Sequence, residues 1–249
     1  MKKILSLVLV AIFSMIAINV NAQAKKKTAI KKEVARASVK KSATRTRTTK
    51  IKDNSIKIKI TTDSGVIVLK LYDSTPLHRD NFTKLVKAHF YDSLLFHRVI
   101  SGFMIQGGDP LSKNAEPGAM LGNGGGDMAR IPAEFKPSLF HKKGTLCAAR
   151  DGNPEMASSA CQFYIVQGNV YNDDLLNGFD MQRSVKYTPE QRMVYKTIGG
   201  TPMLDTKYTV FGEVISGLNV IDKIASVEKG NADRPVGDVR MKMEVVSGK

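Results

Sequence analysis

The chain has 249 residues, 42% hydrophobic and 24% charged, with a formal net charge of +15, two cysteines and four histidines. The charge is concentrated: Lys2 and Lys3 supply +2, and residues 25–50, with eleven Lys or Arg against the single acid Glu33, supply +10, which leaves +3 for the rest. The high pI therefore describes a tail. The four histidines show no ligand spacing and the cysteines form no CxxC, which argues against a zinc site.

Met1 to Lys3 form a short basic start, and Ile4 to Ile18 is apolar apart from Ser6 and Ser14. Val20 and Ala22 stand at −3 and −1 of a cut after Ala22, so residues 1–22 read as a secretory signal peptide. The apolar stretch is short for a spanning helix, the alternative reading being an uncleaved anchor. No cysteine marks a lipid-anchored form. The protein is expected to be exported, with the periplasm preferred. Residues 23–55 are expected to form a basic, disordered linker. It reads equally as a solubilising spacer or as a tether weakly attracted to an anionic envelope surface. Export and the lack of interleaved aromatics argue against nucleic acid as a partner.

The globular domain is expected over residues 56–249. "IKIKIT" at 56–61 alternates strictly, Asp63, Ser64 and Gly65 make a turn, and "VIVLKLY" follows, which together predict a hairpin. Thr75–Pro76 predicts an N-cap and a first helical residue, with Phe82, Leu85, Val86 and His89 on one helical stripe. Further strands are predicted at 96–100, 103–106, 145–149, 161–167, 209–215 and 239–245, and a short helix at 218–225. Many short strands with few helices point to a closed antiparallel sheet. Residues 170–201 interrupt this pattern, and "TPEQRMVYKTIGG" within them predicts a helix capped by Thr188, begun by Pro189 and stopped by Gly199–Gly200.

Several chemistries lack their signatures. The glycine cluster at 122–126 has no following Lys-Ser/Thr, and no Gly-x-Ser-x-Gly elbow exists. Cys147 and Cys161 could pair in an exported chain, although their staggered register on neighbouring strands opposes it. What remains is "LLFHRVISGFMIQGGDP" at 94–110, an apolar run that carries one arginine and ends in an amide, two glycines and an acid. Arginine is rarely buried without a partner, so the run suggests an apolar surface that holds one fixed charge.

The core of that run, "FHRVISGFMIQGGD" from Phe96 to Asp109, resembles the signature of the cyclophilin-type peptidyl-prolyl cis–trans isomerases. "CQFYI" at 161–165 and "VFGEVISGLNVIDKI" at 210–224 resemble further blocks of that family, in family order. The resemblance implies a mainly β fold, a closed eight-stranded antiparallel barrel capped by two helices, with a partly helical insertion at about 170–201. It implies an isomerase that works without cofactor or metal on proline-containing unfolded or extended polypeptides, assists the folding of exported proteins and acts as a monomer. A proline-binding chaperone or scaffold module without catalysis is the alternative.

The chemistry suits these residue types. Rotation about a prolyl peptide bond meets a barrier of about 20 kcal/mol, because the nitrogen lone pair is delocalised into the carbonyl. No covalent bond need break; the twisted state, with a basic pyramidal nitrogen, must be favoured. A guanidinium is always charged and presents donors in a rigid fork, and its bonds to the twisted amide strengthen in an apolar cleft. Arg98 is thus the expected catalytic residue. By resemblance, Gln106 bonds substrate and steadies the arginine, and Phe103, Met104, Tyr164 and Leu204 wall the proline pocket. Ala149 and Arg150 form the edge where substrate backbone pairs as an added strand, and Tyr208 stands where many members have histidine. Phe163 is expected to face the core. Tyr164 replaces the family's phenylalanine, so its hydroxyl must find water or a partner. Met203 and Tyr208 put binding of cyclosporin-class inhibitors in doubt. The insertion is expected to form a lip over the cleft or a docking surface.

Overall fold

The computed structural model describes residues 55–182 and 186–246. The expected signal peptide, nearly all of the basic linker and the last three residues lie outside the described residues.

Eight strands form one antiparallel sheet: β1 (Lys57–Thr62), β2 (Gly65–Leu71), β3 (Arg98–Ile100), β4 (Met104–Gly107), β5 (Thr145–Ala148), β6 (Phe163–Val166), β7 (Val210–Ser216) and β8 (Lys242–Val246). Their spatial order is β3-β4-β6-β5-β7-β2-β1-β8. The opening hairpin follows from its alternation: Ile58, Ile60, Ile67, Leu69 and Leu71 are buried on one face, and Lys59 on the other reaches Glu244 of β8. Burying each such aliphatic side chain contributes about 1.5–3 kcal/mol.

The sheet is curled, and the expected closed barrel is met only in its strand number and antiparallel order. The end strands β3 and β8 share no ladder. The segments just before them meet instead, in a single bridge between Leu95 and Arg240 with Ser93 N–H to Met241 O (2.9 Å), Met241 N–H to Leu94 O (2.9 Å) and Phe96 N–H to Val239 O (2.9 Å).

Among the described residues four α-helices join the strands: α1 (Pro76–Lys87), α2 (Asp173–Asp180), α3 (Pro189–Thr197) and α4 (Leu218–Ala225). Helix α1 buries Phe82, Leu85 and Val86 as its stripe predicts. His89 does not join them: the helix ends at Ala88, and His89, at φ 55°, is exposed. Thr75 sits at the N-cap position but its side chain makes no capping bond. The carboxylate of Glu134, from a distant loop, accepts from Leu77 N–H (3.2 Å) and His78 N–H (3.0 Å) instead. Helix α3 has the expected cap: Thr188 Oγ1 accepts from Gln191 N–H (3.2 Å) and Gln191 Oε1 from Thr188 N–H (3.0 Å), a reciprocal capping box.

Strands β5 and β6 are buried on both faces, and the period of two explains how. Leu146, Ala148, Phe163 and Ile165 point into the main core with Val99, Ile105 and Phe211, Phe163 lying as expected. The alternate residues Cys147, Ala149, Tyr164 and Val166 join Met104 and Val210 in a second cluster, against which Phe103, Leu204 and Tyr208 pack. Cys147 and Cys161 are both free thiols and belong to different clusters.

The insertion is clasped at its base. Asn169 N–H donates to Gly200 O (3.1 Å) and Gly200 N–H to Asn169 O (2.9 Å). A Cβ on Gly168, at φ +70°, would lie 2.4 Å from Gly200 Cα, so the two crossing backbones require glycine there.

Candidate active site

The site is built on the outer face of the sheet, one residue per strand. Arg98 of β3 is opposite Gln106 of β4, Gln106 is opposite Tyr164 of β6, and Tyr164 is opposite Cys147 of β5. Because side chains alternate, this row shares one face, and the gap between it and the turn at Pro202–Leu204 is a cavity of about 160 Å³. Its lining is Arg98, Phe103, Met104, Gln106, Ala149, Arg150, Tyr164, Leu204 and Tyr208, so all nine residues singled out in the sequence come together there. Met203 does not line it.

Polar contacts fix the rim. Arg98 is exposed and its Nε donates to Asp233 Oδ2 at 3.4 Å. Asp233 lies in a short turn (Asn231–Asp233) in which Ala232 and Asp233 both take positive φ, 56° and 58°. The side chain of Gln106 donates to Gln162 Oε1 (3.1 Å), and Gln162 Nε2 donates to Gly122 O and Gly124 O, both at 2.9 Å. Its partner in the structure is thus Gln162, and the expected steadying bond from Gln106 to Arg98 is replaced by the one from Asp233. Arg150 donates through Nε to Lys207 O (3.1 Å) and lies over the Tyr208 ring at 4.7 Å. Ala149 N–H donates to Gln162 O (3.0 Å) and Ala149 O accepts from Ser159 N–H (2.8 Å). Its main chain is therefore already paired, which narrows the edge open to an extended chain to Arg150.

The acid ending the signature stretch is structural. Asp109 is fully buried and accepts from Leu111 N–H (2.8 Å) and Gly122 N–H (2.5 Å), holding the glycine-rich loop against the sheet. That loop, with Gln106, Ala149, Arg150 and Gln162, lines a second, larger hollow of about 370 Å³ beside the first.

Behind the cavity the Tyr164 hydroxyl has found a partner, His141 Nε2, at 2.9 Å, with the two rings stacked at 12°. His141 Nδ1 bonds Asp205 Oδ1 (2.7 Å), and Asp205 Oδ2 accepts from Tyr195 Oη (2.5 Å). Burial disfavours the charged imidazolium, but the neighbouring Cys147 sulfur and Asp205 carboxylate outweigh it and push His141 up to about 9. Burial likewise works to raise Asp205, yet the bonds from His141 and Tyr195 hold its carboxyl below the usual range. Burial, foremost, raises the Tyr164 phenol well above its ordinary value. None of the described residues of the insertion lines either cavity. The expected lip is absent among the described residues, and the insertion backs the pocket through Tyr195.

A family model described as cyclophilin type peptidyl-prolyl cis-trans isomerase/CLD matches residues 57–245. A Staphylococcus haemolyticus protein named "Putative peptidyl-prolyl cis-trans isomerase" is 37% identical over 191 residues, covering 76% of this chain and 90% of that one. A Staphylococcus aureus protein of the same name is 34% identical with the same coverage. Among solved structures, a Cryptosporidium parvum cyclophilin type peptidyl-prolyl cis-trans isomerase superposes with a TM-score of 0.58 at 23% identity, covering 78% of this chain and 99% of that one. The same protein crystallised in the presence of the dipeptide Ala-Pro gives a TM-score of 0.55 at 22% identity.

Proposed function

The chain belongs to the cyclophilin-type peptidyl-prolyl cis–trans isomerase family, whose activity it carries, and from that premise we propose how its cavity performs it. The proline ring enters the cavity between Phe103, Met104, Tyr164 and Leu204, which hold it by apolar contact and exclude water. Tyr208 and Arg150 bound the outer side, where the substrate's extended backbone runs past Arg150. The carbonyl before the proline swings while the ring stays fixed. Arg98 donates to the twisted imide through its terminal nitrogens, and Gln106 donates to the substrate backbone. Because amide conjugation is lost at the ninety-degree geometry, the nitrogen becomes basic there, and a fixed cationic donor favours that state over either planar isomer. No cofactor takes part.

One observation carries this reading: the Arg98 guanidinium and the Gln106 amide stand on the rim of a hollow whose floor is apolar and aromatic, with Arg150 on its outer side. The solved relative crystallised with Ala-Pro supports proline-containing peptides as the substrate class. The leader-like start and basic segment support the further reading that the molecule is exported to the periplasm. There it would act as a monomer on the folding of exported chains, its basic segment weakly attracted to the anionic envelope.

Refolding of a client limited by a slow prolyl step tests it. Such steps take tens to hundreds of seconds uncatalysed. The protein at one-hundredth of the client's concentration should shorten that phase several-fold. Shortening only at equimolar concentration would favour the chaperone alternative, since a holdase acts by occupancy.

A further inference from the structure

Four polar side chains form a continuous buried chain behind the proline pocket. Tyr164 is 4% exposed, His141 0%, Asp205 2% and Tyr195 0%. Burying this much polarity is costly unless each group is bonded, and here each one is, along the run Tyr164–His141–Asp205–Tyr195. The isomerisation itself requires none of these polar groups beyond the Tyr164 ring. The chain ends on two walls of the pocket: Tyr164 through its hydroxyl, and Leu204 through the adjoining Asp205. Its other end is helix α3 of the insertion. A second contact runs in parallel, because Tyr187 Oη donates to Pro202 O (3.0 Å) in the turn that carries Leu204. The main chain joins in as well: Thr201 N–H donates to His141 O (2.8 Å).

We propose that Tyr195 is a positioning residue of the proline pocket, through which the insertion sets the spacing between the Tyr164 and Leu204 walls and so which proline-containing segments enter. Tyr195 fixes Asp205, Asp205 orients His141, and His141 fixes the Tyr164 ring from behind. The insertion thus acts on specificity without touching substrate. This rests on the isomerase reading of the cavity.

The test is a two-residue cycle on the full chain with short Xaa-Pro peptides, comparing Tyr195→Phe, Tyr164→Phe and the double variant. Tyr195→Phe should raise KM three- to tenfold with kcat within twofold. On a Tyr164→Phe background the same change should move KM by less than twofold, because the connection is already cut. The idea is overturned if Tyr195→Phe lowers only the urea midpoint and leaves KM unchanged, or if its KM effect is equally large without the Tyr164 hydroxyl. Should a variant not fold, the wild type decides alone: saturating Xaa-Pro peptide should shift the His141 ring NMR signals, and unmoved signals overturn the coupling. A wild type that binds these peptides but turns none over removes the isomerase reading instead, and the His141 signal still decides the connection.

Discussion

Arg98 Nε lies 3.4 Å from Asp233 Oδ2, so the guanidinium at the edge of the pocket is tethered by its inner nitrogen while its two terminal nitrogens stay free for substrate. Both side chains are nearly half exposed, 44% and 45%, and such pairs contribute only about 0–1 kcal/mol to stability. The two positive φ values beside it cost about 1–3 kcal/mol each in general, which a stability role for this pair does not offset. Orientation of Arg98 is the better account. Asp233→Asn should lower kcat/KM two- to fivefold, leave KM within twofold and leave the urea midpoint nearly unchanged. Unaltered kcat/KM would remove Asp233 from the site.

Glu134 offers the reverse case, a residue that matters for folding and lines neither cavity. Its carboxylate accepts from two N–H groups at the start of α1 and bonds His78 Nδ1 at 2.7 Å. Glu134→Ala should cost about 1–3 kcal/mol in denaturant unfolding, as for a lost helix cap with a buried partner left unpaired. Isomerisation by the folded fraction should stay within twofold. A stability unchanged within error would mean that Thr75 or water replaces the cap.

Three buried histidines should shape stability against pH, His97 and His78 in one sense and His141 in the other. Burial, aided by the nearby Arg98 and Arg234 and opposed by Asp109, lowers His97 to about 4. Below pH 6.5 the unfolded chain therefore takes up a proton that the folded one refuses, and stability falls as pH drops toward 4. His78, lowered chiefly by burial, adds to this limb. His141 is raised to about 9, so its contribution is complete below pH 6.5 and is lost as pH rises through 9. His97 and His141 each contribute on the order of 3 kcal/mol. Urea midpoints at pH 4.5, 6.5 and 9.5 should peak in the middle, with His97→Gln flattening the acid side and His141→Gln the alkaline side. A level profile would contradict both assignments.

What the sequence made legible was local or patterned. The period-two runs at 56–61 and 239–245 placed the opening hairpin and the last strand, because the alternation of apolar and charged residues is visible in each. Five of the nine lining residues, Arg98, Phe103, Met104, Gln106 and Tyr164, were legible because they fall in two of the family-like blocks, whereas Ala149, Arg150, Leu204 and Tyr208 lie outside those blocks and were placed by resemblance position by position. Contacts across long separations were not. Arg98 and Asp233 are 135 residues apart, Gln106 and Gln162 are 56 apart, and His141 and Asp205 are 64 apart. No spacing rule brings such pairs together; the sheet order does. The same limit explains the Thr75 cap, where a local grammar cannot see Glu134, and the expected lip that the structure does not form among the described residues, where chain order near the pocket does not say which side a segment occupies. His89 failed for a local reason: the helix closes one residue earlier, at Ala88.

The role of Arg98 is tested most directly by the rate of cis-to-trans conversion of a short Xaa-Pro peptide by the wild type and by Arg98→Ala. Removing one preorganised donor of this kind typically costs 10²–10³ in rate. We predict a loss in kcat/KM of about that size, with peptide binding weakened only a few-fold and the circular dichroism spectrum unchanged. An Arg98→Ala protein that keeps its fold and isomerises within threefold of the wild type would contradict the assignment of Arg98, and with it the mechanism built around that cavity.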